Sequence, residues 1–281
     1  MTSLPQDKRF DWGNLWLRAV SGAILAGGAV WAVLAFDWPG VGWRAPFLLL
    51  VAVAGILLSL EWGQMAAPGR PRRVGWATAA AVSAVVALAF FGLYWQAWVC
   101  VAVGALVSAL LAARSGARII DAAYGVLYIA PAGIALVWLR QSPQGAGWTL
   151  MLFATAWAAD ICAFVVGNLV KGPKLWPRFS PNKTWSGFAG GLMAAAAASV
   201  AVAAAVMKLS LVGAALIGLA GGLATMAGDL WESVLKRRFG VKDSGDIIPG
   251  HGGLLDRVDG LMFAIVVFAI ARLVVQLRWA H

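Results

Sequence analysis

Charge is what this chain has least of. Of its 281 residues, 12% are Asp, Glu, Lys or Arg against 62% hydrophobic, and the mean hydropathy is +0.82. One soluble core of this length cannot hide that much apolar surface, so a soluble globular fold is excluded and an integral membrane protein remains. Cysteine is nearly absent: Cys100 and Cys162 both fall in apolar runs, where a small hydrophobe is the expected role, and they offer neither a disulfide framework nor a zinc ligand set. With two histidines there is no His cluster of zinc-binding spacing. No GxxxxGK[ST] occurs, so any bound nucleotide is held by an arrangement unlike the P-loop. No internal repeat is present.

What the chain does contain is a series of apolar runs, each long enough to cross a bilayer at roughly 17 to 25 residues. They lie at about 20–36, 45–62, 75–93, 96–113, 119–139, 148–170, 187–207, 209–230 and 260–277. The expected fold is therefore all-α and polytopic, with about nine transmembrane helices. The basic residues alternate between loops. Placing the N-terminus in the cytoplasm assigns 17 of the 22 lysines and arginines to the cytoplasmic side, leaving Arg44, Arg140, Lys208, Arg272 and Arg278 opposite, as the positive-inside rule favours. The net charge of +10 then reflects this bias, and no nucleic-acid partner is expected. The first run follows basic residues as a signal peptide would, but eight more follow, so it reads as an uncleaved anchor. No organelle transit signal is seen, and a bacterial inner membrane is the expected location.

The simplest partition is one continuous membrane domain, with residues 1–140 as scaffold helices and 141–281 as the half that carries the chemistry. Gly187 with Gly191, and Gly218 with Gly222, give GxxxG spacing; packing within the chain is the expected use, and a homodimer is the alternative. In the first half the notable acids are Glu61 and Asp121, each expected near a membrane interface, where solvation alone would account for it.

Six of the twelve carboxylates fall in one stretch, Asp229 to Asp259, among lysines, arginines and glycines. Such a mixture of acids for a metal and bases for phosphate suits a nucleotide-processing site. Asp229, Ser233 and Lys236 are spaced i, i+4, i+7 and share a face if the eighth helix continues past the membrane. Asp256 and Asp259 are one turn apart if the ninth begins early, with Arg257 pointing elsewhere, so two helix ends converge on one metal. The segment between, with His251, has the glycines and proline for tight turns near a ligand. Upstream, Asp160 lies mid-span, where an ionised carboxylate needs a wet cavity or a partner; a structural pair with a basic residue is the alternative. The segment KGPKLWPRFSPNKTWSG is expected to be ordered, with Thr184 or Ser186 capping a helix whose positive end favours phosphate and Lys183 facing an anion. Simple positive-inside anchoring is the alternative there.

At these residues the sequence strongly resembles the phosphatidate cytidylyltransferase family. The matching positions are Ser233, Lys236, Arg237, Lys242, Asp243, His251, Gly252, Gly253, Asp256, Arg257 and Asp259, joined by Asp160, the SPNKTW run from Ser180 to Trp185, and Gly228 with Asp229. The likeness is close over about 150–260 and general before 140. It implies that CTP and phosphatidic acid give CDP-diacylglycerol and pyrophosphate on the cytoplasmic side, with Mg²⁺ required and a second cation as a further option. By the same resemblance Asp229 and Asp256 are metal ligands, and Lys183, Lys236, Arg237 and Lys242 neutralise phosphates, with Ser233 hydrogen-bonding one of them. Asp160, Asp243, Asp246, His251, Arg257 and Asp259 complete the expected substrate contacts. An enzyme acting on another lipid phosphate, a CTP-dependent lipid kinase and an anion transporter are the rival readings.

Overall fold

The computed structural model describes residues 12–35, 45–114, 118–177, 180–245 and 252–279, with side chains in the first helix from Val20 onward. Among the described residues there are nine helices: α1 (Trp12–Ala35), α2 (Ala45–Ala66), α3 (Pro71–Phe90), α4 (Tyr94–Ala113), α5 (Ile119–Gln141), α6 (Gly145–Val170), α7 (Trp185–Val206), α8 (Leu211–Arg238) and α9 (Leu255–Trp279). Eight of them, α2 to α9, are long and apolar enough to span a membrane, while the apolar part described for α1, Val20–Ala35, is shorter. The sequence-derived runs recur within a few residues. The differences fall where helix continues past the apolar run: α8 extends through its charged end to Arg238, and α9 starts at Leu255.

Helix boundaries follow local chemistry. Pro71 opens α3 at a position that needs no N–H donor. Gly92 turns from α3 into α4 with φ +77°, a left-handed conformation that suits glycine. Ser210 caps α8 by accepting from the Gly213 N–H at 3.1 Å. Within the spans, Ser59, Thr149 and Thr225 each donate to the carbonyl four residues back, which satisfies hydroxyls that have no water to turn to.

The four GxxxG glycines are all used inside the chain. A β-carbon on Gly187 would meet the Ala163 carbonyl oxygen at 2.6 Å, and one on Gly191 the Ala159 carbonyl at 2.7 Å, so α7 lies backbone to backbone on α6. Gly218 would meet the Ala195 carbonyl at 2.7 Å and Gly222 the Ala195 side chain at the same distance, which sets α8 equally close to α7. Across that contact Ser199 donates to the Ala214 carbonyl at 2.6 Å.

The two halves of the chain are tied together. α5 packs against α2, α3 and α4 on one side and α9 on another. Arg140, at the end of α5, donates from Nε and Nη2 to the Val33 carbonyl at 3.1 and 2.7 Å, placing a cation at the C-terminal end of α1. At the opposite end of α5, the Trp62 indole donates to the Asp121 carbonyl at 2.8 Å, and the Asp121 carboxylate pairs with Arg238 of α8. Trp62 also packs on Tyr124, Tyr128 and Phe239. Glu61 and Asp121 are buried and bonded, so solvation at an interface does not account for them. Hydropathy could not reveal this, because the partners of the two carboxylates lie 117 or more residues away.

A candidate phosphate-binding cavity

The described residues of the segment before α7, 171–177 and 180–184, form regular structure, as its prolines and tryptophans suggested. Lys174–Trp176 (β1) pairs antiparallel with Ser180–Thr184 (β2), and the Trp185 N–H donates to the Pro173 carbonyl to close the hairpin onto α7. Thr184 is the N-cap, accepting from the Gly187 N–H at 3.2 Å, whereas Ser186 instead donates to the Lys171 carbonyl. The hairpin thereby carries Lys183 against the C-terminal part of α8, where its Nζ lies 2.6 Å from Asp229 Oδ2.

On α8, Asp229, Glu232, Ser233 and Lys236 lie on one face, as helical spacing dictates. Ser233 donates to the Asp229 carbonyl at 2.8 Å. Lys236 reaches Glu232 Oε2 at 2.9 Å and Asp256 Oδ1 at 2.5 Å, so it bridges α8 to α9. The two helices touch where both are glycine: a β-carbon on Gly228 would lie 2.5 Å from the Asp259 carbonyl oxygen, and one on Gly260 2.6 Å from Asp229 Oδ1. That approach is what sets Asp229 beside Asp259.

The start of α9 is held from two sides. The other oxygen of Asp256, Oδ2, accepts from the Ser244 N–H at 3.0 Å, the Ser244 hydroxyl at 2.9 Å and the Gly253 N–H at 3.2 Å. Glu61, reaching over from α2, accepts from the Leu254 and Leu255 N–H groups at 2.7 Å each. These are backbone donors at the helix start with no intrahelical acceptor, so a carboxylate from the N-terminal half caps the helix that bears Asp256 and Asp259.

These groups enclose a cavity of about 710 Å³ walled by α6, the hairpin, α7, α8 and α9. Its lining includes five carboxylates, Asp160, Asp229, Glu232, Asp256 and Asp259, and three cations, Lys183, Lys236 and Arg257. Asp160, near the middle of α6, thus faces a polar cavity. Arg257, expected to point away from its neighbours, lines the same cavity, because the cavity wraps around the first turn of α9. Arg237, Lys242 and Asp243 are exposed and lie outside the lining. Arg237 is one residue, hence about 100° of helix, round from Lys236, and the other two sit in the loop after α8. Asp246 and His251 lie outside the described residues.

Sequence reasoning passed over Glu232, the most buried acid of the α8 face at 2% exposure. Its spacing of three from Asp229 and four from Lys236 was the available signal. Its Oε1 is buried without a hydrogen-bond partner. Glu61 and Ser244 were likewise not recognised as supports of the site.

A formal surplus of acids over bases among hard oxygen donors, one of them unpartnered, suits a hard divalent cation. Among the described residues no three of them stand together as a ready-made cage. Mg²⁺ commonly takes one or two carboxylates and completes its shell with substrate phosphates and water. The donor set therefore fits Mg²⁺, with Asp229 and Glu232 or Asp256 as the residues to hold it.

A polytopic helical membrane protein with an acid- and base-lined cavity reaching into its spans is the class that fold and site define. The chain belongs to the cytidylyltransferase family, whose pattern it matches over residues 16–275. It is 47% identical over 143 residues to the phosphatidate cytidylyltransferase of Brucella suis biovar 1 (strain 1330), covering 50% of this chain and 53% of that protein. The enzyme of that name from Staphylococcus saprophyticus is 38% identical over 166 residues, 57% of this chain and 62% of the relative. The one from Pseudomonas aeruginosa is 35% identical over 241 residues, 79% and 86% of the two chains. The chain spans about half the length of the Brucella relatives it matches.

Proposed function

We propose that this protein transfers the cytidylyl group of CTP to phosphatidic acid, giving CDP-diacylglycerol and pyrophosphate for phospholipid synthesis. The observation that carries the reading is the placement of Lys183 and Lys236 among five carboxylates in one cavity, in a chain of the cytidylyltransferase family. The relatives named phosphatidate cytidylyltransferase support the same choice of lipid.

The reaction asks little covalent work of the protein. An oxygen of the lipid phosphate forms a bond to the α-phosphorus of CTP while the bond to the β-phosphate oxygen breaks, and pyrophosphate leaves with that electron pair. The lipid phosphate is already an anionic nucleophile, so catalysis consists of bringing two anions together and stabilising the charge that develops. Lys183 and Lys236 do this by turning from Asp229 and Asp256 toward phosphate oxygens. The aspartates they leave are then available to Mg²⁺, which when bound would offset negative charge on the triphosphate; a second cation would share the remaining carboxylates. Asp256, fixed by Ser244 and Gly253, keeps its position while Lys236 moves. The cavity opens to the cytoplasm, as the distribution of basic residues favours, and the membrane is the bacterial inner membrane, a reading that the bacterial relatives support.

Pyrophosphate release by the purified protein given CTP, Mg²⁺ and phosphatidic acid, with each omitted in turn, tests the reading. All three should be required, and Asp229→Asn and Asp256→Asn should abolish turnover while still inserting in the membrane. CDP in place of pyrophosphate would identify a lipid kinase instead, and near-normal rates in both variants would remove the metal assignment.

A further inference from the structure

Past Asp229, α8 runs on for about two and a half turns to Arg238, and its two sides meet different neighbours. Asp229, Glu232, Ser233 and Lys236 face the polar cavity. Trp231, Leu235 and Arg238 are spaced i, i+4, i+7, on a face roughly 140° round from that group at 100° per residue. The Trp231 indole donates to the Tyr124 hydroxyl at 3.0 Å, Leu235 is buried, and Arg238 pairs with Asp121. Asp121 and Tyr124 stand one turn apart on α5, so two side-chain links join α5 to α8 on the side away from the cavity. The α5 end of this brace is the fixed one. The Asp121 side chain is 3% exposed against 47% for Arg238, so the arginine reaches in to a buried carboxylate. The Asp121 carbonyl also takes the Trp62 N–H at 2.8 Å, and Trp62 sits close on α5 because a β-carbon on Gly125 would lie 2.3 Å from its Cδ1. Trp62 in turn meets Phe239, the residue after Arg238, edge on at 5.6 Å.

The braced part of α8 is its last turn. The Val241 N–H closes that turn on the Lys236 carbonyl at 2.9 Å, with Gly240 at φ +73°. Helix ends fray, yet Lys236 must span from this one to Asp256 on α9, which it reaches at 2.5 Å. Terminating the helix does not call for the ion pair, since the glycine turn already does that. Pairs of this kind can often be replaced without loss of stability, so its use is to fix one arrangement. We propose that Asp121, acting through Arg238, is a positioning residue for Lys236: the pair holds the last turn of α8 so that the Lys236 ammonium meets the reacting phosphates when it leaves Asp256. The proposal rests on the reading of the polar cavity as the site of cytidylyl transfer, and it adds a residue outside that cavity to its working parts. Misplacing a catalytic group by about 1 Å can cost on the order of 10²-fold in rate, so fraying of this turn would be felt in turnover.

The test uses the purified full chain and the double variant Asp121→Asn/Arg238→Gln, which removes the pair without leaving a buried charge unpaired. Calorimetry with CTP counts the binding-competent protein, so that misfolding is not mistaken for slow turnover. Per CTP-binding site, kcat for pyrophosphate release should fall about tenfold, with KM for CTP and for phosphatidic acid unchanged. In a Lys236→Ala background the same double change should cost nothing further, because the two act through one group. A wild-type kcat, or a further loss of the same size in the Lys236→Ala background, overturns the proposal. A second arm does not depend on turnover. Amide hydrogen exchange should quicken in residues 231–238 of the double variant and stay as in the wild type in α6 and α7. Unchanged exchange in residues 231–238 overturns the proposal whatever the rates. Faster exchange there, in a protein whose wild type releases no pyrophosphate from CTP and phosphatidic acid, leaves the brace standing and overturns the cytidylyl-transfer reading instead.

Discussion

Glu232 is a buried carboxylate of the polar cavity compensated at one oxygen. One of its oxygens meets Lys236 at 2.9 Å, and the other is buried without a donor. Leaving a buried polar oxygen unpaired costs about 1–3 kcal/mol, so a merely structural glutamate at this position would be a poor choice. Glu232→Gln preserves volume and removes the charge. We expect kcat to fall about 10²-fold, the scale seen when one group stabilising a transition state is lost, with little change in the melting temperature in detergent. Rates of pyrophosphate release measured beside thermal melts would show this, and a variant with wild-type rates would take Glu232 out of the chemistry. Asp229 and Lys236 were legible in the sequence because helical spacing brings them to one face of α8, and Asp256 because it stands one turn from Asp259 at the start of α9. Glu232 fits the same spacing, yet its importance comes from burial, which spacing does not report.

At the scale of elements, the start of α9 depends on a residue from α2. Glu61→Ala would leave the Leu254 and Leu255 N–H groups without an acceptor in a buried setting, a loss of about 1–3 kcal/mol in stability. Activity should fall with it, since Asp256 and Asp259 ride on that helix. Glu61→Gln retains an oxygen acceptor and should recover most of both; equal damage from the two variants would mean that charge, and not capping, is the contribution. The hairpin and α7 offer a parallel case. Thr184→Ala removes an N-cap worth about 1 kcal/mol and loosens the junction next to Lys183, so KM for CTP should rise more than KM for the lipid. Titration calorimetry with CTP would check this without turnover. The cap before α7 was readable as Thr184 or Ser186 from its place before an apolar run, with the structure choosing Thr184, whereas the Glu61 cap joins residues 193 and 194 positions apart and has no local signal.

For the whole molecule, the proposed orientation predicts sidedness. With Cys100 and Cys162 replaced by serine, Lys242→Cys should react with a membrane-impermeant maleimide only from the cytoplasmic face, and Lys208→Cys only from the other. Reversed labelling would invert the topology, and with it the face from which CTP reaches the cavity. The sequence by itself determined that the chain is a helical membrane protein, where its spans lie to within a few residues, and that its acids and bases concentrate toward the C-terminal end of α8 and the start of α9. Those properties follow from composition and short-range periodicity, because a segment's solvent and its helical face are local matters. Only the tertiary structure decided that the GxxxG glycines pack α6, α7 and α8 within one chain, that Glu61 caps α9, that Asp160 faces a polar cavity, and that an apolar cavity adjoins it. Each of these joins residues distant in the chain, whose meeting is set by how the helices pack.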